Sequence, residues 1–369
     1  MHSLRAARVL LTFGCLLTLG FGPARLTDGD IPRRPFYREQ ILALKPVPFP
    51  EVTAKAVLVA NIATGRILYA RNEHERRSPA SLTKIVTAIV AMERGDPQQM
   101  IEIKKQDLAV YSMIGMQLYD QVSLRDMIDI LLIPSDNAAA MAIARTLGKG
   151  DVKTFVGWMN DKVAEWGLKD THFTNPHGFD EENNYTSAYD MALIALRAMQ
   201  YPWFADAVGR AEKDVANWRL RSTNKMLTLY PGTVGVKTGT EEKAGECLIS
   251  LVRRPEGEYL VVVLGSTDRY GDSIKLLDYY YATLYEFRVD LPESPQNRYQ
   301  DAEGRWHAFG LRQPVIYLVD RRLIGTEAYY REIDRPLANP SPDDAVGRLR
   351  IFLGGQPFDE VPLYAKPSP

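Results

Sequence analysis

The sequence is poor in cysteine, with only Cys15 and Cys247 in 369 residues. Cys15 lies inside an apolar N-terminal run, so a chain that sheds this run keeps one thiol and has no internal disulfide. Packing must then hold it together. Cys247, in the run Cys247-Leu248-Ile249, reads as a small buried hydrophobe rather than a nucleophile. Histidine is also scarce, at five. His172 and His177 lie close in sequence but lack helical spacing and a third partner, so no metal site is expected, and no cofactor is implied. His177, within Asn175-Pro176-His177-Gly178, reads as a turn residue. Neither sign of charge dominates: 45 basic residues face 46 acidic ones, for a formal net charge of -1. That balance gives no general pull toward nucleic acid or an anionic membrane. No fixed-period repeat appears.

The apolar run from Val9 to Gly22 is shorter than the roughly 20 residues that span a bilayer. Arg5 and Arg8 precede it, and Gly22 and Ala24 offer the small residues that a signal peptidase needs, so residues 1–24 read as an export signal. The mature chain is therefore expected in the periplasm or on the outer face of the cytoplasmic membrane. Cys15 follows bulky Thr12 and Phe13, which argues against a lipid anchor there.

With 46% hydrophobic and 25% charged residues, the chain is long enough for two ordinary domains. Residues 25–50 carry Pro32, Pro35, Pro46, Pro48 and Pro50 and read as an extended linker. Two strands joined by a turn at Thr64-Gly65 follow, Ala56 to Ala60 and Ile67 to Tyr69. Ser81 then opens a run to Met92 that is apolar almost all round, the pattern of a buried helix ended by Gly95 and Pro97. A second helix starts at Ser123, with Asp126 three residues on, and stops at Pro134. Ala138 to Leu147 is a third, and a mostly helical middle continues through Met199.

After Pro231 the pattern turns to strands: Thr233 to Lys237, Cys247 to Val252 and Tyr259 to Leu264. Ile274, Leu277, Tyr281 and Leu284 then recur at helical spacing. From Val289 onward, short runs such as Val315 to Val319 and Leu349 to Phe352 alternate with Gly and Pro turns and predict a small all-β domain. The fold class is thus mixed α/β (α+β), with a first domain over 51–288 and a C-terminal β domain over 289–369.

Three short motifs occur in order: Ser81-Leu82-Thr83-Lys84, Ser135-Asp136-Asn137 and Lys237-Thr238-Gly239. The first two patterns are weak alone, since Ser222-Thr223-Asn224-Lys225 satisfies both. Ser222, however, has no apolar helix after it and sits in a polar stretch that reads as a surface or lid segment. Ser81 and Lys84 share one helical face within one turn. A serine hydroxyl attacks a carbonyl only when a base takes its proton, and a lysine serves when burial or nearby positive charge lowers its pKa toward neutrality. The N–H groups at the start of Ser81's helix offer one donor to a developing oxyanion, and a strand edge beside Gly239 offers a second. Ser135 and Asn137 project from a corner behind Pro134, where Ser135 can pass a proton to a leaving amine. Lys237 and Thr238 suit a substrate carboxylate, and Gly239 lets a substrate lie close. Together they describe acyl transfer on a peptide with a free carboxylate.

These motifs form the set found in penicillin-binding proteins and class A β-lactamases. The chain resembles the D-alanyl-D-alanine carboxypeptidases of the low-molecular-weight penicillin-binding protein family. The likeness extends to Ala54-Lys55-Ala56, Ser78-Pro79-Ala80, Asn175-Pro176-His177-Gly178, Tyr189-Asp190-Met191-Ala192 and Gly235-Val236-Lys237-Thr238-Gly239-Thr240, blocks that span most of 51–288. The resemblance implies a two-lobed catalytic domain, a helical lobe packed on a sheet flanked by helices. It implies removal of the terminal D-alanine from peptidoglycan pentapeptide stems, with β-lactam antibiotics as covalent inhibitors. By the same resemblance Ser81 forms the acyl-enzyme, Lys84 is the base, Ser135 and Asn137 handle the leaving group and the substrate amide, and Lys237 binds the carboxylate. The backbone of Thr240 would complete the oxyanion hole, and Arg269 looks like a further carboxylate-binding arginine.

Two departures from the family stand out. Tyr119-Asp120 stands where a glycine usually precedes the acidic residue, so the cleft rim is expected to differ. The tail from Val361 to Pro369 shows no amphipathic helix of the kind that anchors relatives, and peripheral membrane association stays open. A class A-like β-lactamase is the nearest alternative, with Glu165 in Glu165-Trp166-Gly167-Leu168 as its extra base. Lys169 breaks that pattern, and Glu165 is expected on a helix. A catalytically inactive peptidoglycan-binding protein would need a lost catalytic residue, and none is lost.

Overall fold

The computed structural model describes the strand Tyr37–Arg38 and residues 48–366 apart from 335 and 343. The expected export signal over 1–24 lies outside the described residues, as does most of the 25–50 linker. Within that linker Tyr37–Arg38 pairs in parallel with Arg66 and Ile67 and so adds a strand to a sheet.

Among the described residues the chain divides into two units, one through Tyr281 and one from Ala282 onward. The division precedes the expected boundary at 288, and its physical reason is local. Leu284 continues the helical spacing of Ile274, Leu277 and Tyr281. Yet Leu284–Val289 alternates Tyr285, Phe287 and Val289 with Glu286 and Arg288 and pairs with Val315–Asp320 as an antiparallel strand of the second unit.

The first unit is built on a six-stranded sheet. Its order runs Tyr37–Arg38, Arg66–Arg71, Ala56–Asn61, Gly257–Ser266, Gly245–Arg254, Thr233–Glu241. All pairings except the first are antiparallel. Every residue of Ala56–Asn61 is buried. A central strand covered on both faces is expected to read as a continuous apolar run rather than an alternating one, and Ala56 to Ala60 does. The helix Arg269–Thr283 is tied to the sheet by Asp272, whose carboxylate accepts from the backbone N–H of Thr53 and Ala54 and from Ser266 Oγ. Tyr281 Oη donates to the Val252 and Gly257 carbonyls.

The helical lobe packs around Lys84–Arg94, in which every residue from Lys84 to Ala91 is buried. Leu124–Leu132 begins as its sequence predicts: Ser123 Oγ accepts the Asp126 N–H at 3.1 Å and donates to its carboxylate at 2.9 Å. Asn137–Leu147, Val152–Glu165, Ala188–Ala198 and Pro202–Val208 complete the lobe. Cys247 is buried in this core, as expected.

The second unit is all β among its longer elements. Arg298–Gln300, Trp306–Gly310, Gln356–Ala365, Ala345–Leu353 and Ala328–Ile333 form one sheet in that order. Its own core gathers Phe287, Tyr299, Phe309, Leu349, Ile351 and Leu363.

Candidate active site

Ser81 does not lie in the α-helix proper. It sits in a 3₁₀ turn, Ala80–Thr83, that feeds directly into the helix beginning at Lys84. The tighter turn places the Ser81 N–H ahead of any helical carbonyl partner, and serine and lysine still meet across one turn. Lys84 Nζ donates to Ser81 Oγ at 2.8 Å, to Asn137 Oδ1 at 2.7 Å and to the His177 carbonyl at 2.7 Å.

These three partners are not equivalent. Asn137 Oδ1 and the His177 carbonyl can only accept, whereas the Ser81 hydroxyl can also donate. A neutral lysine has two N–H groups, which the two obligate acceptors use, and its lone pair then points at the serine hydroxyl. Burial lowers the Lys84 pKa from its ordinary 10.5 to about 7, against the opposing pull of Asp136 and Glu241. The neutral form is thus accessible near neutral pH.

The loop Asn175–Gly178 is built to hold this lysine. Asn175 Oδ1 accepts the Gly178 N–H at 2.6 Å, and Thr87 on the buried helix donates to the Pro176 carbonyl at 2.7 Å. Gly178 has φ +97°, and a Cβ there would stand 1.9 Å from the Ala80 carbonyl oxygen. Only glycine allows the loop to press this closely against the turn that carries Ser81. His177 is a turn residue, as its sequence context predicts: Nδ1 accepts the Phe179 N–H at 3.2 Å. Burial first, then the Lys84 charge, push its pKa down to about 3, so it stays neutral.

Ser135 has φ 66°, a left-handed conformation that turns the chain sharply after Pro134. Its hydroxyl accepts from Lys237 Nζ at 2.7 Å, and Lys237 also donates to the Thr238 carbonyl at 3.0 Å. Lys237 is 1% exposed. Burial, then Lys84 and Arg269, lower its pKa well below the ordinary lysine value. Asp136, the middle residue of its motif, has two tasks. One oxygen caps the helix by accepting the Ala139 N–H at 2.9 Å. The other accepts from Ser112 Oγ at 2.7 Å and from the Met113 and Ile114 N–H groups at 2.5 and 3.3 Å. The carboxylate thereby locks the cleft-rim loop to the motif.

Thr233–Glu241 is the edge strand of the sheet, so its outer backbone groups face the cleft. A Cβ on Gly239 would lie 3.1 Å from the Ser81 nitrogen and 3.0 Å from the Ala80 Cβ, so glycine is needed for this approach. Thr238 Oγ1 lies 2.6 Å from Thr223 Oγ1, and Tyr270 Oη donates to the Thr223 carbonyl at 2.8 Å. The Ser222 segment, expected at the surface or in a lid, thus brings Thr223 to the edge strand. Ser222 itself accepts the Asn224 N–H at 3.1 Å.

Arg269 is 7% exposed and is no surface ion pair. It donates to the Gly239 carbonyl at 2.8 Å, the Cys247 carbonyl at 3.1 Å and Thr240 Oγ1, while Nε lies 3.2 Å from Glu246. Glu165 ends the helix Val152–Glu165, as its sequence context predicts, and pairs with Lys162 at 2.8 Å. Tyr119 holds φ 72° and is 68% exposed, so a tyrosine occupies a backbone conformation in which glycine is at ease. No sequence signal marks Asp136 as a clamp or the His177 carbonyl as a lysine acceptor, since the groups in these contacts are brought close only by the fold.

A family model described as D-alanyl-D-alanine carboxypeptidase matches residues 43–268. The chain is 34% identical over 242 residues to the D-alanyl-D-alanine carboxypeptidase DacF of Bacillus subtilis, covering 61% of each chain. It is 30% identical over 312 residues to the D-alanyl-D-alanine carboxypeptidase of Streptomyces sp. strain K15, covering 76% of this chain and all of that one. The alignments with DacF and with the Haemophilus influenzae DacA span 61% and 65% of those relatives' own lengths. Among solved structures, penicillin binding protein 5 from Haemophilus influenzae superposes with a TM-score of 0.66 at 25% identity, covering 87% of this chain and 98% of that one.

Proposed function

The chain belongs to the D-alanyl-D-alanine carboxypeptidase family, and from that membership we propose that it removes the terminal D-alanine from peptidoglycan stem peptides through an acyl-enzyme on Ser81. The observation that carries this reading is the set of Lys84 partners: two obligate acceptors and one hydroxyl, around an amine whose pKa burial lowers to about 7. Neutral Lys84 takes the Ser81 proton as Oγ attacks the penultimate D-alanine carbonyl. The Ser81 and Thr240 N–H groups receive the oxyanion. Ser135, hydrogen-bonded to Lys237, hands its proton to the departing amine and is reprotonated by the proton Lys84 took, which returns Lys84 to its neutral form. The C–N bond breaks, D-alanine leaves, and water then hydrolyses the Ser81 ester with Lys84 again as base.

Lys237 has a second part in this scheme. A substrate carboxylate entering near Thr238 brings an opposite charge, so binding draws the depressed Lys237 pKa back up and favours its cationic form. Asn137 keeps Oδ1 on Lys84, which leaves its Nδ2 group for the substrate amide. Arg269 supports the edge strand through Gly239 and Thr240 and adds positive charge at the carboxylate end. β-Lactams would acylate the same serine. Export to the periplasm or outer membrane face rests on the N-terminal apolar run.

The test is D-alanine release from diacetyl-L-lysyl-D-alanyl-D-alanine by the purified chain. Release that Ser81→Ala abolishes and Ser222→Ala leaves intact is expected. Release surviving Ser81→Ala would overturn the assignment.

A further inference from the structure

Ala80, the residue before Ser81, is fully buried with φ 47°, a left-handed conformation that a residue with a Cβ keeps only when its surroundings hold it there. Two elements press on it from either side. Gly178 in the loop 175–180 packs on the Ala80 carbonyl, and Gly239 on the edge strand Thr233–Glu241 packs on the Ala80 Cβ and the Ser81 nitrogen. One side chain reaches across all three segments. Asp180 Oδ1 accepts from Ser78 Oγ, at the entry to the turn that carries Ser81. Its Oδ2 accepts the Lys243 N–H at 2.7 Å, in the turn that follows the edge strand.

The two anchor points are spaced alike from the oxyanion site. Ser78 lies three residues before Ser81, and Lys243 lies three residues after Thr240. Ser81 and Thr240 are the residues whose N–H groups receive the oxyanion on the acyl-enzyme reading, on which this inference rests. The carboxylate stands on a fixed base, because the Phe179 carbonyl next to it accepts from Asn184 Nδ2 at 3.0 Å and from Asn175 Nδ2 at 3.2 Å. The same loop supplies the His177 carbonyl that accepts from Lys84 at 2.7 Å. The serine, the lysine and the edge strand are thus all referred to one loop.

We propose that Asp180 is a positioning residue for the oxyanion hole, its two oxygens setting the distance between the Ser81 and Thr240 N–H groups. It acts through the backbone at both ends rather than on the substrate. Both donors must meet the oxygen where its charge develops, and a misplacement of about 1 Å can cost on the order of 10²-fold in rate. The ground-state carbonyl carries less charge, so a displaced donor weakens the transition state more than it weakens substrate binding. Position rather than charge is what the carboxylate supplies. An asparagine keeps both contacts, with Oδ1 accepting the Lys243 N–H and Nδ2 donating to Ser78 Oγ, since a hydroxyl accepts as well as donates. An alanine keeps neither. The fold does not depend on this link alone, because Arg77 and Thr186 exchange two backbone hydrogen bonds of 2.8 Å beside Ser78.

The full chain and its D180A, D180N and S78A variants are compared on diacetyl-L-lysyl-D-alanyl-D-alanine by steady-state kinetics, with circular dichroism melts in parallel. Each is also titrated with a peptide boronic acid, which forms a tetrahedral adduct on an active-site serine and mimics the transition state. D180A is expected to lose about 10- to 100-fold in kcat with KM within about twofold, and to bind the boronic acid more weakly by a similar factor. D180N should stay within about threefold of the wild-type kcat, and S78A should fall between the two. Adding S78A to D180A should cost less than about twofold more, since both remove one link. A D180A kcat within about twofold of wild type overturns the clamp and leaves the acyl-enzyme reading standing. A D180N loss as large as that of D180A also overturns it, because charge would then be the cause. A loss confined to KM, or an unchanged boronic acid affinity, overturns it too. If D180A fails to fold, the order of the other two decides: S78A must lose more than D180N, and the reverse order overturns the proposal. Absence of D-alanine release by the wild type removes the underlying reading itself.

Discussion

In the first unit Lys84 and Lys237 are enclosed beside Ser81 and Ser135, each amine held by protein acceptors, and both pKa values are pushed down by burial. In the C-terminal unit, Arg348 and Arg350 stand across neighbouring strands from Glu332 and Glu360, at 2.9 to 3.6 Å, with every partner at least a third exposed. Acidic neighbours, Asp334 first, raise the Arg348 pKa. Burying an amine costs folding free energy, and a fold retains such a cost where the altered basicity is used. The exposed ladder keeps its charges at little cost and gains little from them. The contrast separates a region organised around chemistry from one organised around packing.

The largest break of that contrast is expected at Lys84. Lys84→Ala should lower D-alanine release on the order of 10⁴-fold, the upper range for losing a general base, and Lys84→Arg should not restore it, because arginine stays charged. Parallel circular dichroism should show both variants folded. Next is Gly239→Ala. Its methyl group would press on the Ser81 N–H and shift the oxyanion donor, so kcat should fall on the order of 10²-fold while KM moves little, read by steady-state kinetics.

Two changes in the C-terminal unit sharpen the comparison from the other side. Leu349 is fully buried in that unit's core, and Leu349→Ala should destabilise it by about 2–5 kcal/mol in denaturant melts. D-Alanine release at a temperature where the variant is folded should not change. Arg350→Ala should have the smallest effect, at most about 1 kcal/mol by the same melts, and less in high salt.

Much of this arrangement was legible in the chain. The Ser81–Lys84 spacing ahead of an apolar run placed the serine and lysine that meet at 2.8 Å, Ser123 with Asp126 marked a helix start, and the run around Lys237 marked a strand. What was hidden depends on tertiary closure. Asp136 accepts from the Ser112 hydroxyl and from the Met113 and Ile114 N–H groups, on a loop that no sequence pattern ties to the motif. The His177 carbonyl, not its ring, holds Lys84. Thr223 reads as part of a surface segment because its contact is made from a bend outside any regular element to Thr238 on the edge strand. At Leu284 helical spacing and strand composition competed, and pairing with Val315–Asp320 decided the outcome.

The central claim is that neutral Lys84 activates Ser81, and the rate of penicilloyl-adduct formation as a function of pH, with the adduct located by peptide mapping, tests it most directly. The catalytic form is the deprotonated one, so a pKa lowered to about 7 predicts a rate that rises about tenfold per pH unit up to about 7 and is flat above it, with a lasting adduct on Ser81. A rate still climbing tenfold per unit above pH 8, or an adduct on Ser222, would contradict the account.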